Sequence, residues 1–181
     1  GGLWVDLGAA AGPVALALLK RCRARFVLVD PSAESLSAAR QEAAGRGVAD
    51  RVTVACGRAE ALPLADRSAD LVVSRGSIYF WDDQPRGIAE VYRVLREGGQ
   101  AMIGGGLGRD YPEWARQEFI RRRHEGVQRK GPEAYAEFLR LRHPETFAGW
   151  AREAGLPSFE VIGEGGRPPG DPGAGLGIWL R

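Results

Sequence analysis

The chain has 181 residues, 44% of them hydrophobic, which suits one domain with a well-filled core and is too short for two large ones. Lys and Arg number 25 against 23 Asp and Glu, and this net charge of +2 creates no general field toward nucleic acid or an acidic membrane surface. The two cysteines, Cys22 and Cys56, lack Cys-x-x-Cys spacing, which argues against a disulfide scaffold and fits a cytoplasmic protein.

The first predicted element is an apolar strand over residues 3–7, broken by the small-residue turn Gly8-Ala9-Ala10-Ala11-Gly12 before a helix over 13–22 that opens on Pro13. Small residues there let a nucleotide-like ligand approach main-chain N–H groups. A strict dinucleotide fingerprint is not met, because Ala10 and Pro13 occupy its second and third glycine positions. Residues 7–19 look superficially like the apolar part of a signal peptide. No basic region precedes them, however, and Asp6, Gly12 and Pro13 interrupt the run. No window reaches the roughly 18–20 apolar residues of a transmembrane helix, so a soluble chain without a membrane span is expected. Gly1 stands where a start methionine is expected and the first strand follows at once, which reads as a truncated N-terminus.

Further strands are predicted over residues 25–29, 52–55, 70–74 and 101–103, with helices over 33–45 and 84–95. Ser32 is placed to cap the first of these helices, and Gly98-Gly99 to stop the second. From Tyr111 to Arg142 the pattern becomes helical and arginine-rich, with Trp114, Phe119, Tyr135 and Phe138 interleaved and a break at Lys130-Gly131-Pro132. A last helix over 144–154, a strand over 159–162, a Gly- and Pro-rich loop over 163–175 and a closing strand over 176–180 complete the chain. Strands alternating with helices imply a parallel sheet covered on both faces. The expected class is α/β. It is a Rossmann-like, doubly wound, mostly parallel seven-stranded sheet, with an antiparallel C-terminal edge hairpin and a helical insert over about residues 110–143. All of it forms a single domain, 1–181.

In such a sheet a ligand binds beyond the carboxyl ends of the strands, where strand order reverses. Three segments should converge there. They are the Gly8–Gly12 loop, Asp30 at the end of strand two, and Gly57-Arg58-Ala59-Glu60 after strand three. Asp30 can accept hydrogen bonds from both ribose hydroxyls, although it could also serve only to cap the helix after Pro31. Ser74-Arg75-Gly76-Ser77-Ile78-Tyr79-Phe80-Trp81, after strand four, should floor an acceptor pocket, unless its aromatic residues are core packing. His124 and His143 read as surface residues. Arg121, Arg122, Arg123, Arg140 and Arg142 read as a solvated helix face.

Four segments in this order resemble a class I S-adenosylmethionine-dependent methyltransferase of the small-molecule type, over nearly the whole chain. They are Asp6, Gly8 and Gly12; Asp30; residues 57–64 with 66–73; and Glu90-Val91-Tyr92-Arg93-Val94-Leu95-Arg96-Glu97-Gly98-Gly99. The resemblance implies S-adenosyl-L-methionine as cofactor, held by Asp6, Gly8, Ala10, Gly12, Asp30, Pro31, Arg58, Ala59, Glu60, Ser74 and Arg75, with no metal. Two residues depart from the family pattern. Ala10 replaces a glycine, and Arg58 stands where an aspartate usually accepts from the adenine amino group, which a guanidinium cannot do. The helices the family carries before strand one are absent.

Methyl transfer from a sulfonium is an in-line displacement that positioning alone can drive. Where a general base assists, the candidates are Asp82, Asp83, His124 and His143, with Tyr79 beside them. The expected acceptor is a small, partly apolar molecule, and the expected assembly is a monomer or homodimer. A degenerate cofactor-binding domain serving a partner protein stays open as an alternative, as does an RNA methyltransferase using the arginine-rich insert. Pro13 speaks against a nicotinamide oxidoreductase, and the missing Asn/Asp-Pro-Pro-aromatic motif against a nucleobase-methylating enzyme.

Overall fold

The computed structural model describes residues 2–107, 110–163, 168–169 and 175–180. In chain order the elements are β1 (Leu3–Leu7), α1 (Pro13–Leu19), β2 (Arg25–Asp30), α2 (Ala33–Gly45), β3 (Val52–Cys56), β4 (Ala69–Arg75), α3 (Gln84–Val94) and β5 (Leu95–Gly104). There follow α4 (Glu113–Gln128), α5 (Pro132–Arg140), α6 (Pro144–Glu153), β6 (Glu160–Gly163) and β7 (Leu176–Leu180). The strands form one sheet in the order β3-β2-β1-β4-β5-β7-β6. β1 to β5 run parallel, and β7 lies antiparallel to both β5 and β6.

β2 shows why the sheet is covered on both faces. Its consecutive residues are apolar, and alternate side chains leave a strand on opposite sides. Val27 and Val29 join Val5, Leu7, Val72, Ile88 and Val91 in one buried cluster, beneath α3 and α6. Phe26 and Leu28 join Leu16, Leu19, Leu36 and Ala39 in the other, beneath α1 and α2. Burying a side chain of this size contributes roughly 1.5–3 kcal/mol, so the alternation along one strand fastens four helices. Ser32 caps α2 by accepting from Ser35 N–H at 3.1 Å, and Asp83 caps α3 by accepting from Arg86 N–H at 3.0 Å.

Two expectations are corrected. Gly98-Gly99 does not form a turn between helix and strand, because α3 ends at Val94 and β5 begins at Leu95. The register jumps from Ala69↔Leu95 to Leu71↔Gln100, so the glycines sit in a bulge, with Gly98 at φ +72°. His124 is not a surface residue. It packs between α4 and α5 against Tyr135 and Phe138, with ring centroids 5.7 and 5.2 Å away. Most of the loop predicted over residues 163–175 lies outside the described residues.

No helix among the described residues is long and apolar enough to cross a membrane. Strand order reverses at β1, which lies between β2 and β4, and the carboxyl ends of these strands define the place where a ligand can enter.

Candidate functional site

Past Leu7 the chain makes a tight turn held by its own backbone. Gly8 and Ala9 donate to Val29 O at 2.8 and 3.2 Å, Gly12 donates to Ala9 O at 2.7 Å, and Gly12 O receives Leu16 N–H at 2.9 Å. Gly8 is at φ +69°, and a Cβ there would run into the Ser77 side chain. Gly12 is at φ +78°, and a Cβ there would lie 2.7 Å from Leu28 Cδ2. Ala10 sits between them at φ +47°, a left-handed conformation that costs a non-glycine residue on the order of 1–2 kcal/mol.

Two carboxylates brace this turn. Asp6 is 2% exposed and accepts from Ala15 N–H at 3.0 Å, tying β1 to the first turn of α1. Its pKa is pushed up to about 6, mainly by burial and further by the charge of Asp30, against the lowering effect of the Ala15 hydrogen bond. Asp30 accepts from Ala10 N–H at 2.8 Å on one oxygen and from Ser32 N–H at 2.9 Å on the other. Each oxygen keeps an acceptor site. The helix after Pro31 is capped by Ser32 rather than by Asp30.

The loop after β3 is laced to the residues that follow β4. Gly57 donates to Asp30 O at 3.2 Å, and a Cβ there would lie 2.7 Å from Pro63 Cδ. Arg58 forms an ion pair with Asp82 and lies 3.7 Å from Glu60. Glu60 in turn accepts from Asp82 N–H at 2.7 Å and from Asp83 N–H at 3.2 Å. The Ala59 N–H donates to no described residue. On the opposite wall, the Ser77 hydroxyl lies 2.6 Å from that of Ser74, donates to Leu7 O at 3.2 Å and accepts from Trp81 Nε1 at 3.1 Å.

Between these walls lies a cleft of about 360 Å³. Among the sequence candidates, Gly8, Asp30, Pro31, Arg58, Ala59, Glu60 and Arg75 line it, and so do Phe80 and Trp81. Asp6, Ala10, Gly12 and Ser74 do not line it. The first three shape the turn from behind, and Ser74, 3% exposed, positions Ser77. The suggested bases are elsewhere. Asp82 is exposed on the rim and held by Arg58, Asp83 caps α3, and His143 caps α6 by accepting from Glu145 N–H at 3.2 Å. Tyr79 turns away from the cleft and packs on Phe147, with centroids 6.1 Å apart. Gly76 and Ser77, expected within the pocket floor, line the cleft as well, while sequence reasoning missed Leu7 as a wall residue and the part Ser77 plays in organising that wall. A glycine at position 8 announces a close neighbour, but nothing in the sequence says which. Among the described residues no group of His, Cys, Asp and Glu could hold a metal ion.

Residues 5–103 match the family model of a methyltransferase domain. A 2-methyl-6-phytyl-1,4-hydroquinone methyltransferase of Oryza sativa subsp. japonica is 45% identical over 102 residues, 55% of this chain and 28% of that protein. A ubiquinone/menaquinone biosynthesis C-methyltransferase of Xylella fastidiosa is 36% identical over 101 residues, 55% of this chain and 40% of that protein. The match thus spans less than half the length of either curated relative. A provisionally assigned S-adenosyl-L-methionine-dependent methyltransferase of Methanococcus maripaludis superposes with a TM-score of 0.76 at 28% identity, covering 99% of this chain and 76% of its own.

Proposed function

The chain belongs to the methyltransferase-domain family, through a match that takes in more than half of its residues, and we propose on that footing that it transfers a methyl group from S-adenosylmethionine to a small, partly apolar acceptor. The observation that carries this reading is Asp30, a carboxylate facing the cleft beside the Gly8 turn with acceptor capacity left on both oxygens.

The cleft suits the cofactor. Its volume lies within the roughly 300–1,000 Å³ of small-molecule sites. Asp30 would hold the ribose hydroxyls, the open Ala59 N–H a purine ring nitrogen, and Pro31 one apolar face. Arg58 offers donors only and faces Asp82 and Glu60. Purine contact therefore falls to Ala59 and the surrounding apolar surface.

When bound, S-adenosylmethionine supplies a methyl group on a positively charged sulfonium, open to displacement by a nucleophile along the C–S axis. The protein contributes position and exclusion of water. Trp81 is fixed from two sides, by Ser77 at its indole N–H and by the Gln84 amide, which donates to Trp81 O at 2.9 Å. Phe80 is 83% exposed at the cleft and offers an apolar platform to an incoming acceptor. The names of the rice and Xylella relatives carry hydroquinone and quinone acceptors, and we extend that class, a hydroxylated aromatic ring with an apolar substituent, to this chain. Nucleic acid is the weaker reading. Arg121 and Arg122 are paired with Glu118, Arg121 also with Glu125, and Arg140 with Glu137, which breaks up the cationic stripe an RNA would need.

The test is transfer of isotopically labelled methyl from S-adenosylmethionine to a set comprising an alkylated hydroquinone, an alkylamine and a short RNA. Label in the hydroquinone is expected. Label confined to the amine or the RNA would overturn the acceptor class, and no release of S-adenosylhomocysteine with any of them would count against the transfer itself.

A further inference from the structure

Beyond the cleft, the helical insert meets the turn after β4 through cationic side chains that no carboxylate among the described residues answers. Arg142 lies between two aromatic rings, with its guanidinium carbon 4.0 Å from the Tyr79 centroid and 4.3 Å from that of Phe138. Arg123, whose guanidinium covers the Phe119 ring at 4.4 Å, is near enough to act on Arg142 as a like charge. The one hydrogen bond Arg142 makes among the described residues goes to Phe138 O at 3.4 Å, and its Nε is buried without a partner. The Nε2 of His124 is likewise buried and unpartnered, while its Nδ1 lies 2.8 Å from the Tyr135 hydroxyl.

No carboxylate among the described residues compensates the charge of Arg142. Burial pushes its pKa down, Tyr79 pulls it up and Arg123 pushes it down again. A guanidinium nonetheless stays protonated in the physiological range. The nearby glutamates are committed elsewhere, Glu118 and Glu125 to Arg121, Glu137 to Arg140 and Glu113 to Arg116. Arg116 makes the contrast plain, since it is the more buried arginine of the insert and has a carboxylate beside it at 3.6 Å. A half-buried cation without a counter-ion is unfavourable unless an anion reaches it.

We propose that Arg142, with Arg123 near it, receives an acidic oxygen on the aromatic ring of the acceptor, an ionised phenolic hydroxyl. This assignment rests on the transfer reading above. The Tyr79 and Phe138 rings cover the guanidinium and hold it in place, so an oxygen on the edge of an aromatic acceptor would be met by the N–H groups of its fork rather than by its faces. Tyr79 faces away from the cleft, but a Cβ on Gly105 would lie 3.4 Å from its ring and 3.3 Å from Gly76 Cα, and Gly76 lines the cleft, so the Arg142 site backs onto that wall of the methyl-donor site.

The test compares 4-nitrophenol, in a mildly alkaline buffer that ionises it, with its neutral ether 4-nitroanisole, by difference spectroscopy with and without S-adenosylhomocysteine. The wild type should bind the phenolate about tenfold more tightly than the ether, equivalent to one pKa unit of preference for the ionised form. Arg142→Met should abolish the preference and Arg123→Met should weaken it, while calorimetric binding of S-adenosylhomocysteine is unchanged in both. Equal binding of the two probes by the wild type overturns the proposal, and this needs no variant to fold. A preference that survives Arg142→Met overturns it as well. Failure of the wild type to bind S-adenosylhomocysteine would strike the transfer reading instead, and the probe comparison without it would still decide the anion site.

Discussion

Asp6 is a carboxyl that its surroundings keep half-titrated near pH 6. Its folded pKa, about 6, lies above the ordinary carboxylate value of 3.8, with burial the main cause. The native state therefore holds a proton that the unfolded chain releases, and stability falls as pH rises from about 4 to about 6. For this nearly inaccessible group the effect is about 3 kcal/mol. Asp6→Asn keeps an acceptor for Ala15 N–H and removes the titration. Denaturant unfolding across that window should show a flatter stability profile for the variant and a more stable variant at pH 8; parallel profiles would refute the account. Ala10 gives a second expectation. Its left-handed backbone costs roughly 1–2 kcal/mol, of which glycine returns about 0.5–1 kcal/mol through unfolded-state freedom. Ala10→Gly should thus raise the melting temperature by roughly 2–4 °C, which corresponds to about 1 kcal/mol in a chain of this length. A lower melting temperature would show that the methyl group packs usefully.

The segment after β3 has no regular structure of its own, and α3 holds it in place. Glu90 accepts from Leu62 N–H at 2.8 Å, while Arg93 donates to Leu62 O at 3.1 Å, to Leu64 O at 3.0 Å and to Glu90 at 2.7 Å. The Arg93 side chain holds Glu90 below the usual carboxylate range, with the Leu62 hydrogen bond adding to the effect. Arg93→Ala leaves the Leu62 and Leu64 carbonyls without that donor and is expected to cost about 1–3 kcal/mol. The checks are a melting temperature lower by several degrees and weaker binding of S-adenosylhomocysteine, since the same loop carries Arg58, Ala59 and Glu60. Unchanged binding would mean that the loop holds its form without α3. The elements themselves could largely be read from the sequence, because the unbroken apolar run of β2, Pro13 in the first turn of α1 and the Ser32 cap of α2 are local signals. The bulge in β5 could not. It depends on how residues 95–100 register against β4, and pairing across strands leaves no local mark. The histidine packed between α4 and α5 was equally hidden, since its partners come from the other helix of the pair.

For the sheet as a whole, reversal of strand order at β1 gathers the turn after β1, the end of β2, the loop after β3 and the turn after β4 around one cleft. Acids and glycines spaced along the chain foretold that convergence. The sequence did not separate residues that face the cleft from those that brace it. Asp6, Gly12 and Ser74 belong to the second group because burial and backbone hydrogen bonds, invisible in one dimension, decide the direction of a side chain. Nor could spacing show that Arg58 and Asp82, 24 positions apart, pair across the rim. The central claim is that this cleft holds the nucleoside of S-adenosylmethionine through Asp30. Calorimetric titration of the folded protein with S-adenosylhomocysteine, beside Asp30→Asn, addresses it directly. Saturable one-to-one binding by the wild type is predicted, weakened by about tenfold in the variant, or about 1.4 kcal/mol. No saturable binding by the wild type, or equal affinity in the two proteins, would contradict it.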